Sequence, residues 1–308
     1  MKNKISVAIV TRNRASDLIQ CLGALVCQSQ KPDELLIIDN NSTDKTKSIV
    51  QHFSRAVSFP VRYIKEQTIG YTYACNKALR SATYEWLAFI DDDCIPTSSW
   101  IKEMKHYIKK YPQMSVFVGQ AIPSVRGIPE LSMNFIDDIG KIQNITSTGN
   151  ITDLEIVDPK CSIFNLSFIR RHAIAFNETV HIQSSDCDLG MQIQQKKGCG
   201  LYTPKIIISH TYPHSYSSYY KKLYIKTWNH LKYEYRWTKY RKKQKIEYHK
   251  NIMNVLHHYF KYSKHYKLSL FQYFLFLNTV ALSYGIVKIF RLFFLFNRFL
   301  FKIKSFHI

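Results

Sequence analysis

Three consecutive carboxylates, Asp91, Asp92 and Asp93, follow directly on the apolar run Trp86 to Ile90. Anions crowded at one strand end repel one another unless a cation neutralises them. The economical cation is Mg2+ or Mn2+, which takes one or two protein carboxylates and fills its shell with water and phosphate oxygens. A second acid, Asp39, closes the run Leu35 to Ile38. Its carboxylate could accept a hydrogen bond from the imide N–H of uracil or the N1–H of guanine, a chemistry that selects no base. A third polar cluster, Thr11-Arg12, ends the run Ile5 to Val10. Further on, Asp186 opens an expected helix, where the partial positive charge of the N-terminus keeps a carboxylate ionised, the state a general base needs. Each of these also has a structural reading: a solvated acidic turn at 91–93, a turn-forming Asp39, a helix cap at Asp186.

The elements that must position these residues are legible from periodicity. Short β-branched or apolar runs at Ile5 to Val10, Leu35 to Ile38, Val61 to Ile64 and Trp86 to Ile90 read as buried strands. Between them, helical spacing predicts helices over Asp17 to Cys27, over a stretch capped by Ser42 and Thr43 and running to Phe53, and over Thr72 to Ser81. This alternation implies βαβ crossovers and a mostly parallel sheet, whose ligands bind at the carboxyl ends of the strands. Thr11-Arg12, Asp39-Asn40-Asn41 and Asp91-Asp92-Asp93 all fall on that edge. Beyond a helix at Ile101 to Tyr111 the expectations are a strand at Val116 to Ile122, a loop-rich stretch to Asp158, strands at Cys161 to Phe168 and Leu201 to Ser209, and a helix from Asp186 to Lys197 between them.

In order and spacing, Ser6-Val7-Ala8-Ile9-Val10-Thr11-Arg12-Asn13, Ile37-Ile38-Asp39-Asn40-Asn41-Ser42-Thr43-Asp44, Gly70 to Leu79 and Phe89-Ile90-Asp91-Asp92-Asp93 resemble the family-2 glycosyltransferases of the GT-A fold. The resemblance thins toward His210. It implies an α/β GT-A nucleotide-binding fold and a nucleotide-sugar donor, UDP-linked in preference to GDP- or dTDP-linked. Thr11, Arg12, Asp39, Asn41 and Asn76 would contact the nucleotide, and Asp91 and Asp92 would lie by the ribose and diphosphate. Asp93 would bind the metal, joined by His210, which follows the run Ile206 to Ser209. The family's Ala-Arg-Asn stretch reads Ala74-Cys75-Asn76 here, without the arginine. Its Glu-Asp pair reads Ser185-Asp186, which keeps the aspartate that serves inverting members as catalytic base. Phe164-Asn165-Leu166-Ser167 aligns with a segment on the acceptor side. An inactive relative with the same fold is the alternative raised by Cys75 and Ser185.

Charge divides the chain near Tyr212. Residues 212–308 hold 19 of the 43 Lys and Arg but only two of the 22 Asp and Glu, Glu234 and Glu247, so the net charge is +17 there and +4 in the remainder. The expected organisation is a catalytic domain over 1–211, with a nucleotide-binding part over about 1–115 and an acceptor-side part over about 116–211, followed by a basic, aromatic-rich helical C-terminal tail over 212–308. Interleaved Tyr, Trp, Lys and Arg from Tyr219 to Lys245 suit an anionic bilayer surface, or RNA by stacking and phosphate contact. The acidic edge of the front domain, which would repel phosphates without a metal, and the lack of an RNP-like or zinc motif argue against nucleic acid. Leu268 to Val287 carries no formal charge for 20 residues, near the length that spans a bilayer. Its internal polar residues and basic flanks, and the one-sided spacing of Lys288, Arg291, Arg298 and Lys302, favour a helix lying in the interface. The expectation is a peripheral enzyme at the cytoplasmic face of the membrane, acting on a glycan or lipid-linked acceptor. Seven scattered cysteines without a CxxC pair argue against a disulfide framework or a structural zinc site and fit a reducing compartment, and the apolar run after Met1 is too short for a signal peptide.

Overall fold

The computed structural model describes residues 4–123, 150–151, 157–178 and 182–210. In chain order the elements are β1 (Ile5–Thr11), α1 (Ala15–Val26), β2 (Glu34–Asp39), α2 (Thr46–Ala56), β3 (Val61–Lys65), α3 (Tyr71–Ser81), β4 (Trp86–Asp91), β5 (Cys94–Pro96), α4 (Trp100–Lys110), β6 (Val116–Pro123), β7 (Asn150–Ile151), a 3-10 turn (Pro159–Cys161), β8 (Ser162–Asn165), α5 (Leu166–Arg171), α6 (Ile182–Gln195) and β9 (Gly200–His210). The tail expectations, including the uncharged stretch 268–287, lie outside the described residues. Among the described residues no helix is long and apolar enough to cross a membrane.

One sheet runs in the order β3-β2-β1-β4-β8-β6-β9-β5, with β7 paired to β9. Its first four strands are parallel, as the alternation of strands and helices requires. Beyond β4 the sheet is mixed: β8 is antiparallel to both β4 and β6, and β6 is parallel to β9. The expected nucleotide-binding and acceptor-side parts therefore share one continuous sheet. Along each central strand the side chains alternate between two apolar layers. Val7, Ile9, Leu35, Ile37 and Ile90 pack with Leu18, Leu22 and Leu25 of α1, Val50 of α2 and Trp100 and Met104 of α4. Ala8, Leu36, Ile38, Leu87 and Phe89 pack with Ala74 and Ala78 of α3, Leu166 of α5 and Leu189 and Ile193 of α6. Helices on both faces explain why these strands read as continuous apolar runs.

Three expectations are corrected. The run Cys161 to Phe168 is a strand only over Ser162–Asn165. There the Asn165 side chain accepts the Phe168 N–H at 3.2 Å and caps α5, whose Leu166 and Ile169 are buried at helical spacing. Ser42 and Thr43 do not cap α2; Asp44 does that work from outside the helix, its Oδ1 accepting the Thr46 N–H at 3.0 Å. Ser42 and Thr43 instead knit the β2 loop to the β1 loop. The Asn13 N–H donates to Ser42 Oγ at 3.0 Å, and the Thr43 N–H donates to Asn13 Oδ1 at 2.7 Å. Finally, α6 begins at Ile182, so Asp186 lies a full turn inside it, where the influence of the helix dipole has largely decayed.

Candidate active site

In a sheet of this order the chain turns from one side to the other between β1 and β4, and the crevice at their carboxyl ends is the expected ligand site. Register brings the predicted residues there. Thr11 is the cross-strand partner of Asp39, and Val10 that of Asp91. The short strand β5 pairs Cys94 with His210 at the end of β9, which returns the far side of the sheet to the acids.

The three aspartates are not equivalent. Asp92 is buried, its Oδ2 accepting the Thr11 hydroxyl at 2.7 Å and its Oδ1 meeting Arg14 Nη1 at 2.9 Å. Asp93, also buried, has Oδ2 at 2.8 Å from Arg14 Nη2 and Oδ1 at 3.4 Å from His210 Nε2. Asp91 is half-buried, with the Tyr71 hydroxyl 3.4 Å from its Oδ1. Their ionisation follows from these partners. Burial, then the Asp93 charge, push Asp91 up to about 6 against the opposing pull of Lys160 and His210. Burial likewise pushes Asp92 up to about 7, with Arg14 and Thr11 opposing it. Burial would raise Asp93 as well, but His210 and Arg14 outweigh it and hold this carboxyl well below the usual carboxylate range. Burial therefore opposes ionisation of Asp91 and Asp92, while the cationic partners of Asp93 keep it the most readily ionised of the three.

The residues present fit such a cation. One ligand atom from each of Asp91, Asp93, Cys94 and His210 lies within 4.8 Å of all the others. Two carboxylates and an imidazole suit a hard or borderline ion such as Mg2+ or Mn2+. The buried Cys94 thiol, which burial and the neighbouring aspartates keep protonated, adds a soft donor to the set.

Asp39 is buried at the end of β2. Its Oδ1 accepts the Ser42 N–H at 2.9 Å and its Oδ2 the Tyr63 hydroxyl, leaving further lone pairs of the carboxylate for a ligand. Asn41 turns the chain just after it with a left-handed φ of 60°, a conformation asparagine tolerates well. Two further expected residues, Arg12 and Asn76, are placed apart from the acids' own hydrogen bonds. Arg12 is exposed, and it is Arg14 that meets the acids. Asn76 is buried on α3 and its amide is committed to the segment before α6: Oδ1 accepts the Phe176 N–H at 2.8 Å, and Nδ2 donates to the Phe176 carbonyl at 2.8 Å and to Glu178 at 2.9 Å. That network ties α3 to the segment before α6. Asp186 is half-buried on α6, in sequence between the buried Ser185 and Asp188.

Sequence reasoning passed over Arg14, Tyr63, Tyr71 and the buried Lys160–Asp158 ion pair, which stands close enough to Asp91 to influence its ionisation. Nothing in Thr11-Arg12-Asn13-Arg14 ranks one arginine above the other. The choice is made by Asn13, whose left-handed φ of 53° turns the chain between them.

A parallel half-sheet with a buried acid at the end of β2 and a cation-fitting acid cluster at the switch point defines an α/β domain whose ligand crevice lies at the carboxyl edge of its strands. The sequence profile of "Glycosyl transferase family 2" matches residues 6–174, more than half of the chain, and the chain belongs to that family. Among curated proteins it is similar to "Glycosyltransferase AglE" of Haloferax volcanii, 33% identical over 100 residues, covering 32% of this chain and 33% of that one. It is also similar to "Chondroitin synthase" of Escherichia coli, 30% identical over 101 residues, 32% of this chain and 14% of that one. The match thus spans a third or less of these relatives' own length. Among solved structures, "Mannosyltransferase PcManGT from Pyrobaculum calidifontis in complex with GDP-Man and Mn2+" superposes with a TM-score of 0.60 at 16% identity, covering 92% of this chain and 75% of that one. "S. aureus TarS 1-349 in complex with UDP-GlcNAc" superposes with a TM-score of 0.56 at 20% identity, covering 73% and 66%. At these identities the likeness establishes the GT-A fold.

Proposed function

We propose that the protein transfers a sugar from a nucleotide-sugar, UDP-linked in preference to GDP- or dTDP-linked, to a polysaccharide or lipid-linked acceptor with inversion at the anomeric carbon. The observation that carries this reading is the convergence of Asp39, Asp91, Asp92, Asp93 and His210 on the edge of the sheet at the carboxyl ends of β1, β2 and β4. Asp39, held by Ser42 and Tyr63, takes the base N–H. Thr11, Asn41 and Asp91 line the nucleotide's path, and Asp92, which accepts the Thr11 hydroxyl, would lie by the diphosphate. Asp93 and His210 would hold Mg2+ or Mn2+, with Asp91 beside them; when bound, the cation neutralises the leaving diphosphate. Asp186 takes the proton of the acceptor hydroxyl as that oxygen attacks the anomeric carbon and the bond to phosphate breaks. Because the phosphate is already a good leaving group, positioning and charge neutralisation supply most of the acceleration.

The similarity to a chondroitin synthase and to a "Teichoic acid poly(glycerol phosphate) polymerase" of Staphylococcus epidermidis favours a polymeric or lipid-linked acceptor. The +17 charge of residues 212–308 favours attachment to an anionic membrane surface. The decisive experiment is a screen of UDP-, GDP- and dTDP-sugars with Mn2+, scored by nucleoside diphosphate released with and without membrane extract. Release from one donor, stopped by EDTA, is expected; a protein that turns over none of the panel and binds no nucleoside diphosphate would refute the reading.

A further inference from the structure

Arg14 stands where the sequence suggested no role. Its Nη1 and Nη2 reach Asp92 and Asp93 at 2.9 and 2.8 Å, and its Nε reaches Asp17 at 3.0 Å. The side chain is 36% exposed whereas both carboxylates are only 4% exposed, so the guanidinium is the outward cover of the acid pair. It follows β1 as the residue preceding α1, and Asp17 lies in the first turn of that helix. The two terminal nitrogens form a planar fork, a shape that suits two phosphate oxygens as well as two carboxylates.

Resting on the reading of this crevice as a metal-assisted nucleotide-sugar site, we propose that Arg14 is the site's built-in counter-cation. It occupies Asp92 and Asp93 until a diphosphate draws its fork away, so that cation and diphosphate are accepted together. Two positive groups competing for the same carboxylates oppose each other, so Arg14 weakens the capture of a bare divalent ion. A diphosphate arriving in the crevice offers the fork an equivalent anionic partner. Asp17 keeps hold of Nε and anchors the side chain while Nη1 and Nη2 change partners. Asp93 Oδ2 is then released by the guanidinium, next to the Oδ1 that already faces His210. By linkage, whatever the diphosphate contributes to cation binding, the cation returns to diphosphate binding. Arg14 thereby holds the site closed to free metal and open to the metal–donor pair.

The test separates three ligands by calorimetry on the full chain: Mn2+ alone, UDP in EDTA, and uridine. In Arg14→Met, Mn2+ alone binds more tightly by roughly tenfold or more and UDP in EDTA more weakly by roughly tenfold or more, while uridine, which lacks phosphate, is unaffected. A merely structural role would weaken all three together. Arg14→Lys keeps the charge but not the fork, so Mn2+ affinity stays near wild type while UDP affinity falls. Unchanged or weakened Mn2+ affinity in an Arg14→Met protein that still binds uridine would overturn the inference. Should Arg14→Met not fold, Arg14→Lys decides: undiminished UDP affinity overturns the inference, and a selective loss of UDP with uridine retained supports it. Wild-type protein that binds neither Mn2+ nor UDP would overturn the proposed function and this inference with it, whereas a normal wild type with an insensitive Arg14 variant overturns the inference alone.

Discussion

At the scale of single residues, the three adjacent aspartates divide their labour by what each touches. Asp93 is the one held ionised, by His210 on one oxygen and Arg14 on the other. Replacing it removes the anionic ligand and leaves the two carboxylates whose ionisation burial opposes. Asp93→Ala is therefore expected to abolish the Mn2+-dependent part of nucleoside diphosphate binding, read by calorimetry with and without EDTA; an unchanged metal dependence would remove Asp93 from the site. Asp186 is distinguished by a different measurement. Asp186→Asn keeps the shape of the side chain and loses its basicity, so turnover should fall by roughly a hundredfold or more while donor affinity holds. Since Asp186 lies inside α6 rather than at its start, helix capping does not explain the residue. Wild-type turnover in the amide variant would leave it without a catalytic role.

At the scale of elements, the parallel core is pinned at the edge opposite the site. Glu34 is buried at the start of β2, accepting Ser6 Oγ at 2.6 Å, the Thr83 N–H at 2.6 Å and Arg62 Nη1 at 3.1 Å, so β1, β2, β3 and the loop before β4 meet on one carboxylate. Burial would raise its pKa, but the hydrogen bonds from Ser6, Thr83 and Arg62 win and lower it. A carboxyl lowered on folding stabilises the fold above its unfolded value of about 4.3 and loses that contribution as pH falls through the folded value. Glu34→Gln should accordingly cost roughly 2–4 kcal/mol at pH 7 and progressively less as urea denaturation is repeated below about pH 4.3. A pH-independent difference would show that shape, not charge, carries the tie. On the other half of the sheet, Gly119 sits at the register shift between β6 and β9. A Cβ there would stand 2.4 Å from the Ile206 carbonyl oxygen and 2.9 Å from that of Cys161, both backbone atoms that cannot rotate away. Gly119→Ala should destabilise by roughly 1–3 kcal/mol, and an unshifted denaturation midpoint would mean that β9 yields there. The consequence reaches the site, because β9 ends in His210.

At the scale of the whole molecule, acidity and basicity are segregated. The described residues hold the acid crevice, and residues 212–308 hold most of the excess positive charge. Deleting 267–308 should release much of the protein from membranes, while a chain ending near Tyr212 still binds nucleotide. If residues 268–287 span the bilayer, the full chain resists alkaline carbonate; if the tail lies in the interface, carbonate extracts it and salt alone succeeds in part, because apolar burial is not screened. Full-length protein recovered without detergent and without affinity for anionic vesicles would refute both.

By itself the sequence determined the parallel core and the identity of its acids. A strand buried on both faces must be a continuous apolar run, and the first polar residues after such a run must emerge at the sheet's carboxyl edge; that local logic located Thr11, Asp39 and Asp91–Asp93. The resemblance to family 2 added His210 beside Asp93 as a metal ligand, but neither showed which strand pairing would bring the two together. Tertiary structure alone decided what depends on distant register or on a single backbone turn. Pairing of Cys94 with His210 across β5 and β9 places the imidazole on Asp93, and no periodicity marks a strand as short as β5. The left-handed turn at Asn13 selects Arg14 over Arg12. Asn76, motif-like in sequence, is consumed by a hydrogen-bonded tie to Phe176 a hundred residues away. Residue type and spacing announce which groups can do chemistry; which partner each one finds is set by contacts between segments that the chain order does not encode locally.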